Sequence, residues 1–250
     1  MIDLSGKRAL VIGGTSGIGK GIAQAFARAG AQVAASSRDL NRVTATAAEL
    51  SALGAKALAI ACDARDLDSV RRLMSEIERA WGQLDIVVNA QGTTRKTPSE
   101  QVDDEEFAGI VDLNLHSVFR ICREAYPLIK REGGSIINLA SLGAWIGLPD
   151  AAAYSASKGG VVQMTKVLAV DWARENIRCN AIAPGWIVTP LSAPILDQEQ
   201  YRVPILRRIP LQRFGTVDEV AGAALFLASD LARYVTGTVL TVDGGVLAGV

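Results

Sequence analysis

Arg8-Ala9-Leu10-Val11-Ile12-Gly13-Gly14-Thr15-Ser16-Gly17-Ile18-Gly19 starts as an apolar β-rich run, turns through glycines, and continues with Ile22, Ala23, Ala25 and Phe26 at helical spacing. Strand, glycine turn and helix in that order form the first half of a βαβ unit. Glycines let the backbone approach a pyrophosphate and let the helix pack closely on the strand. The helix N-terminus adds unpaired N–H groups and the positive end of its dipole. Gly13, Thr15, Ser16, Gly17, Ile18 and Gly19 are therefore the candidate phosphate cradle of a dinucleotide site.

Outward from this turn the alternation persists. Short β-rich runs at 8–12, 33–37, 57–61, 84–89, 135–139, 177–182 and 238–242 are separated by amphipathic stretches at about 17–29, 39–53, 66–81, 104–130, 152–174 and 217–228. Such alternation requires a parallel sheet covered on both faces. The expected fold is α/β, a single-domain, Rossmann-type doubly wound parallel sheet spanning residues 1–250. The stretch 190–214 interrupts the rhythm with Pro190, Pro194, Pro204 and Pro210 and is expected to be a lid over a substrate pocket.

Composition narrows the function classes. Hydrophobic residues make up 49% of the 250 and charged residues 21%, which suits one large buried core. Lys plus Arg and Asp plus Glu both number 26, so no global charge attracts nucleic acid or an anionic membrane. The expected partner is a small molecule. No apolar run approaches a membrane span, and Met1-Ile2-Asp3-Leu4-Ser5-Gly6-Lys7 leads into a core strand rather than a signal sequence, so a cytoplasmic location is expected. Cys62, Cys122 and Cys179 are far apart and read as buried thiols. His116 is the only histidine, so no multi-histidine metal site exists and a Ser-His-Asp triad would have to run through that residue.

Two further constellations carry chemistry. At the end of the second strand, where NAD sites place an acidic residue against the ribose, stand Ser37 and Arg38. Arg38 suits a 2′-phosphate and Ser37 removes the carboxylate that would repel it, so NADP is preferred and NAD remains possible. The next residue, Asp39, could turn toward the ribose or pair with Arg38. Farther on, Tyr154-Ser155-Ala156-Ser157-Lys158 follows Ser141. Residues four apart share a helical face, so Lys158 is expected beside the Tyr154 phenol, lowering its pKa toward that of a usable proton donor and acceptor. Ser141 could donate a hydrogen bond to the substrate oxygen.

The glycine turn, Asn89, Asn114, Ser141, Tyr154-x-x-x-Lys158 and Pro184-Gly185 together resemble the short-chain dehydrogenase/reductase family over essentially the whole chain. The resemblance implies a catalytic tetrad of Asn114, Ser141, Tyr154 and Lys158, with Tyr154 moving the proton while hydride passes between the substrate carbon and the nicotinamide. It implies that Lys158 bonds the nicotinamide ribose and Asn114 holds a relay water. It places Asp63 and Ala64 beside the adenine, Asn89 and Gly92 at the ribose, and Pro184, Gly185, Ile187 and Thr189 near the nicotinamide. It also implies a homotetramer, with 104–130 and 152–174 paired across one interface. The chain departs from the family at Ile12, where Thr is usual, and at Gln91, where Ala is usual and where the longer side chain could project toward the cofactor or crowd it.

Trp145, Ile146, Leu148, Trp186, Arg95 and Lys96 are candidate substrate contacts, Arg95 or Lys96 for a carboxylate. Arg95-Lys96-Thr97-Pro98, Ile209-Pro210-Leu211-Gln212-Arg213-Phe214-Gly215 and the tail around Asp243 resemble gluconate 5-dehydrogenases and related sugar-acid dehydrogenases. The alternative is a 3-oxoacyl-[acyl-carrier-protein] reductase with a basic entrance at Arg202, Arg207 and Arg208, and a more distant one a nucleotide-sensing protein without turnover.

Overall fold

The computed structural model describes residues 2–249. Seven strands form one parallel sheet: β1 (Arg8–Ile12), β2 (Gln32–Ser36), β3 (Ala57–Leu58), β4 (Ile86–Asn89), β5 (Gly134–Leu139), β6 (Ile177–Pro184) and β7 (Val239–Val242), in spatial order β3-β2-β1-β4-β5-β6-β7. The order reverses between β1 and β4, which pair directly with Ile12 opposite Asn89. A crevice opens at such a reversal, outside the carboxyl ends of the strands. The strands are largely apolar, as a sheet buried on both faces requires, with Ser36, Asn89, Ser135, Asn138 and Asn180 buried among them.

Helices α1 (Gly17–Arg28) and α2 (Leu40–Ala52) lie in the first half of the chain, with α3 (Leu67–Trp81), α4 (Asp104–Val111), α5 (Ser117–Ile129) and α6 (Ala152–Asp171) following. Then come α7 (Ala193–Leu196), α8 (Glu199–Arg207) and α9 (Val217–Ala228). One core packs α3, α5 and α6 on the sheet around Leu73, Ile77, Ile121, Ile129 and Val161, and the other packs α1 and α9 around Ile22, Phe26, Val220 and Leu227. Asp39, Asp66, Asp103 and Thr216 cap the starts of α2, α3, α4 and α9 with side-chain oxygens. At the start of α1, Ser16 makes no side-chain cap and the first turn holds no acidic residue, which leaves its N–H groups facing outward.

The α/β doubly wound architecture matches the sequence expectation, with three local differences. The third strand is shorter than 57–61, because only Ala57 and Leu58 pair with β2 before the chain turns to receive a hydrogen bond from Ser36 Oγ at Ile60 O, 2.6 Å. The expected helix 104–130 is interrupted by a π turn at Asp112–His116, anchored where Ser117 Oγ donates to Leu113 O, 2.6 Å. The stretch 190–214 contains α7 and α8. Pro194 sits in the first turn of α7, where its missing N–H costs nothing, and Pro204 lies on the exposed face of α8, where water reaches the freed carbonyl. Among the described residues no helix is long and apolar enough to cross a membrane.

Candidate active site

The crevice divides into two adjoining cavities. The first is lined by the glycine turn (Gly13, Ser16, Gly17, Ile18, Gly19), by Ser37, Arg38 and Arg42 after β2, by Cys62, Asp63 and Ala64 after β3, and by Gly92 and Thr189. Its floor admits no side chains. A Cβ on Gly19 would lie 2.3 Å from Gly13 O, and one on Gly13, where φ is +74°, would lie 2.7 Å from Gln91 N. At Gly17 an added Cβ would project into the cavity, toward Thr189 at 3.6 Å. A bare backbone floor and an uncapped helix N-terminus suit a pyrophosphate, so the residues present fit a dinucleotide.

The far end of this cavity carries two cations. Arg38 and Arg42 are exposed, and neither has an ion-pair partner among the described residues. Asp39 turns away from both possibilities the sequence left open: its carboxylate accepts from Asn41 N at 2.9 Å and Arg42 N at 3.2 Å as the α2 cap. Thr15 Oγ1 donates to Ser37 Oγ at 3.0 Å, tying the glycine turn to the end of β2. Sequence reasoning passed over Arg42, which lies in the first turn of α2, just beyond the Asp39 cap, and lines the same cavity as Arg38.

The second cavity, about 200 Å³, holds Ser141, Tyr154 and Lys158 together with Pro184, Gly185, Ile187 and Thr189. Ser141 follows β5 and starts a 3-10 turn, accepting from Gly143 N at 3.2 Å. Tyr154 and Lys158 share one face of α6. Lys158 is buried, and its ammonium donates to Leu139 O at the end of β5, 2.7 Å. Its Nζ lies 5.9 Å from the centroid of the Tyr154 ring.

Here the electrostatics depart from the sequence expectation. Burial pushes the Tyr154 phenol above its ordinary pKa, and the opposing pull comes from the Ser141 hydroxyl rather than from Lys158. Burial brings Lys158 itself down to about 8. The reason is geometric: the ammonium is turned to the strand carbonyl, and desolvation outweighs everything else acting on these two groups.

Asn114 sits in the π turn. Its Oδ1 accepts from Thr93 N at 2.8 Å, and its Nδ2 donates to Thr93 O at 2.9 Å and to Ser157 Oγ at 3.1 Å. Ser157 Oγ in turn donates to Tyr154 O, 2.7 Å, so the Asn114 side chain is bound to the first turn of α6. A Cβ on Gly92 would lie 3.3 Å from Asn114 Oδ1 and 3.5 Å from Lys158 Nζ. All four tetrad positions therefore converge. Asn89 does not join them, for its side chain lies in the core and donates to Asn138 Oδ1 at 2.9 Å.

Of the candidate substrate contacts, Leu148, Trp186 and Lys96 line the second cavity. Lys96 Nζ donates to Pro149 O at 2.6 Å, closing one loop on the other. Arg95 is drawn away into an ion pair with Glu106, 3.2 Å, and Trp145 is turned to solvent, while Ile146 packs with Trp186 against Leu142 and Ile209. Arg202, Arg207 and Arg208 are exposed on and after α8 and line neither cavity. Thr94, Leu191, Ser192 and Ile195 complete the wall. Sequence reading singled out none of them by residue, although Leu191, Ser192 and Ile195 lie in the stretch 190–214 expected as a lid; Thr94 carried no signal. His116 bonds Asp112 Oδ1 through Nδ1 at 3.0 Å on an exposed face and lines neither cavity. The three cysteines are free and buried.

Comparison with known proteins agrees with this geometry. Residues 13–247 match the family described as Enoyl-(Acyl carrier protein) reductase. The chain is 38% identical over 245 residues to a 3-oxoacyl-[acyl-carrier-protein] reductase of Thermotoga maritima, covering 98% of this chain and 99% of that one. It is 35% identical over 247 residues to gluconate 5-dehydrogenase of Gluconobacter oxydans, covering 98% and 96% respectively. Among solved structures, a gluconate 5-dehydrogenase from Burkholderia cenocepacia in complex with NADP and tartrate superposes with a TM-score of 0.96 at 34% identity, over 100% of this chain and 98% of that one.

Proposed function

The chain belongs to the short-chain dehydrogenase/reductase family and is an NAD(P)-dependent oxidoreductase acting on CH–OH groups, and from that premise we propose that it interconverts a small sugar acid or polyol with the corresponding ketone, preferring NADP(H). The observation that carries the substrate reading is Lys96, the cation at the wall of the small cavity that holds Ser141 and Tyr154. An ammonium there is placed to hold a substrate carboxylate while the reacting carbon lies against the phenol. The NADP preference is supported by Arg38 and Arg42, free of carboxylate partners among the described residues, and by the use of Asp39 as a helix cap.

The dinucleotide, when bound, supplies or takes the hydride. Tyr154 Oη moves the proton of the substrate oxygen, its raised pKa making it a donor in the reductive direction at neutral pH. Ser141 Oγ orients that oxygen and donates to it as charge develops, a contribution of about 3 kcal/mol in comparable sites. Lys158, cationic below about 8, stabilises negative charge forming on the phenol oxygen. Asn114, bonded to Thr93 and Ser157, fixes the start of α6 on which Tyr154 stands.

The test is the loss of reduced-nicotinamide absorbance with NADPH, then NADH, against 5-ketogluconate, neutral ketoses, small diketones and an acetoacetyl thioester. Turnover of the keto acid with NADPH, and a KM for it that rises in Lys96→Met while that for a neutral ketose does not, is the expected result. Turnover of the thioester alone replaces the substrate reading. That second reading is favoured by the apolar walls at Leu148, Trp186, Leu191 and Ile195 and by the exposed Arg202, Arg207 and Arg208.

The segment 190–214 is proposed as the lid of the second cavity, since Leu191, Ser192 and Ile195 already form one wall of it. A homotetramer is proposed from the exposed apolar side chains Phe107, Phe119, Val167 and Val170 on α4, α5 and α6, and a monomer mass by light scattering at micromolar concentration would remove it.

A further inference from the structure

Arg120, on α5, stands behind the cofactor cavity and lines neither cavity itself. Its side chain is 11% exposed, and its two terminal nitrogens reach different segments. Nη1 donates to Ala64 O at 2.8 Å, and Nη2 lies 3.8 Å from Asp112 Oδ1. Ala64 lines the cofactor cavity, and so does Leu113, the residue after Asp112. One guanidinium therefore ties together, from behind, two apolar wall residues that are far apart in sequence. The Ala64 wall needs such a tie. Ladder pairing of β3 ends at Leu58, so the chain that follows is not held by the sheet. Cys62 N donates to Ser37 O at 2.9 Å, fixing one end of the loop beside Arg38, and Asp63 N donates to Ser69 Oγ at 3.1 Å within its own segment. Among the described residues the bond from Arg120 is the hydrogen bond that joins this loop to α5.

We propose that Arg120 is a positioning residue for the adenine: it fixes Ala64 and Leu113 relative to each other, and so sets the affinity of the adenosine half of the dinucleotide without touching it. The inference rests on the dinucleotide reading. Arg38 marks the end of the cavity suited to a 2′-phosphate, and the loop bonded to Ser37 lies at that same end, so Ala64 borders the base carried on that ribose. Holding both ties takes a planar group with several diverging donors, which a guanidinium has and an ammonium lacks. Near-complete burial of the side chain strengthens both ties, and the Asp112 carboxylate keeps the guanidinium from turning away from the loop.

The experiment uses the protein without substrate. Binding of NADPH, of 2′,5′-ADP and of reduced nicotinamide mononucleotide is titrated separately for the wild type, Arg120→Met, Arg120→Lys and Arg123→Met. Arg123 is the control: it is exposed on the same helix and pairs with Glu124, so its loss removes one charge without touching the cavity wall. The expected result for Arg120→Met is a Kd raised roughly three- to tenfold, by the same factor for NADPH and 2′,5′-ADP, with no change for the nicotinamide half. Arg120→Lys, which keeps one donor group but not the fork, should fall between wild type and Arg120→Met, and it carries the same comparison if the Met variant does not fold. A lower Tm of the free protein, from leaving Ala64 O without its donor, belongs to a structural role and a positioning role alike. The split between the two halves belongs only to the second. An unchanged Kd for 2′,5′-ADP overturns the proposal. So does equal weakening of both halves, which is general damage, or an equal rise in Arg123→Met, which is loss of long-range charge. Failure of the wild type to bind NADPH at all is a different outcome and would overturn the dinucleotide reading instead.

Discussion

The two walls of the crevice are made of different material. On the cofactor side, Gly13 and Gly19 are boxed in by backbone atoms while Gly17 faces the cavity, and the surface offered to a ligand is N–H groups fixed by the helix they begin. On the substrate side, the outer wall is formed by Leu191 and Ser192, just before α7, and Ile195 on it, and the following α8 carries the exposed Tyr201, Val203 and Arg207. The first surface has no conformational alternative that keeps the fold. The second is held by its own hydrogen bonds, such as Ser192 Oγ donating to Ile187 O at 2.6 Å, and by a small satellite cluster around Leu142 and Ile209. Rigid backbone suits a ligand common to many reactions, and replaceable side chains suit the part that varies.

The contrast would break if the cofactor wall tolerated a side chain. Gly19→Ala places a Cβ 2.3 Å from Gly13 O, a backbone atom that cannot step aside without moving the turn. Loss of measurable NADPH binding is expected, with destabilisation of several kcal/mol by chemical denaturation. A near-normal Kd would show the turn to be plastic. Tyr154→Phe should do the opposite: binding of NADPH nearly intact, turnover lower by ~10²–10⁴, because the change deletes the proton donor and little else. Calorimetric titration beside a rate assay separates the two, and residual turnover near wild type would remove Tyr154 from its role.

Between the walls stands Lys158, and its pH dependence sharpens the comparison by showing what burying a side-chain charge costs. Its pKa is depressed by burial to about 8 from an ordinary value of 10.5. Between those two values the unfolded chain binds more protons at this position than the folded one, so its contribution to stability rises with pH across that window. The effect amounts to a few kcal/mol at most. Cys62, Cys122 and Cys179 have raised pKa values and work in the opposite direction at alkaline pH. The measurement is therefore the difference in unfolding free energy between wild type and Lys158→Met from pH 7 to 10.5, which is expected to move in favour of the wild type. A flat difference would mean that the ammonium is better solvated than its 4% exposure implies.

What could be read from the sequence follows the same division. The glycine spacing, the β-strand runs and the four-residue spacing of Tyr154 and Lys158 are local patterns, and local patterns survive translation into structure. The positions of Asp39, Arg95 and Lys96 were not legible in that way, because each depends on which partner lies nearest in space: a helix N-terminus for Asp39, Glu106 for Arg95, and Pro149 O for Lys96. The π turn at Asp112–His116 leaves the helical run from α4 through α5 unbroken, so periodicity alone reads the run but not the change of winding within it. The pull on the Tyr154 phenol was misassigned for a related reason. Helical spacing brings Lys158 to the same face of α6, but the carbonyl of Leu139, far away in sequence, decides where the ammonium points.

The gentlest probe of the contrast is Leu191→Ala, since Leu191 lines both cavities and is 55% exposed. A half-exposed side chain at the edge of a surface helix contributes little to the core, so stability should change by no more than about 0.5 kcal/mol. Its effect should fall on the ligand. Truncation removes three carbons from the cavity wall, with a loss of apolar contact that corresponds to a rise in substrate KM of roughly three- to thirtyfold if the substrate touches it. A substrate with an apolar chain would feel this most and a small sugar acid least, so the size of the change reports how much of the wall is used. Little change in KM for the keto acid, alongside a clear rise in Kd for NADPH, would assign Leu191 to the cofactor side and move the boundary between the two walls outward, to Ser192 and Ile195.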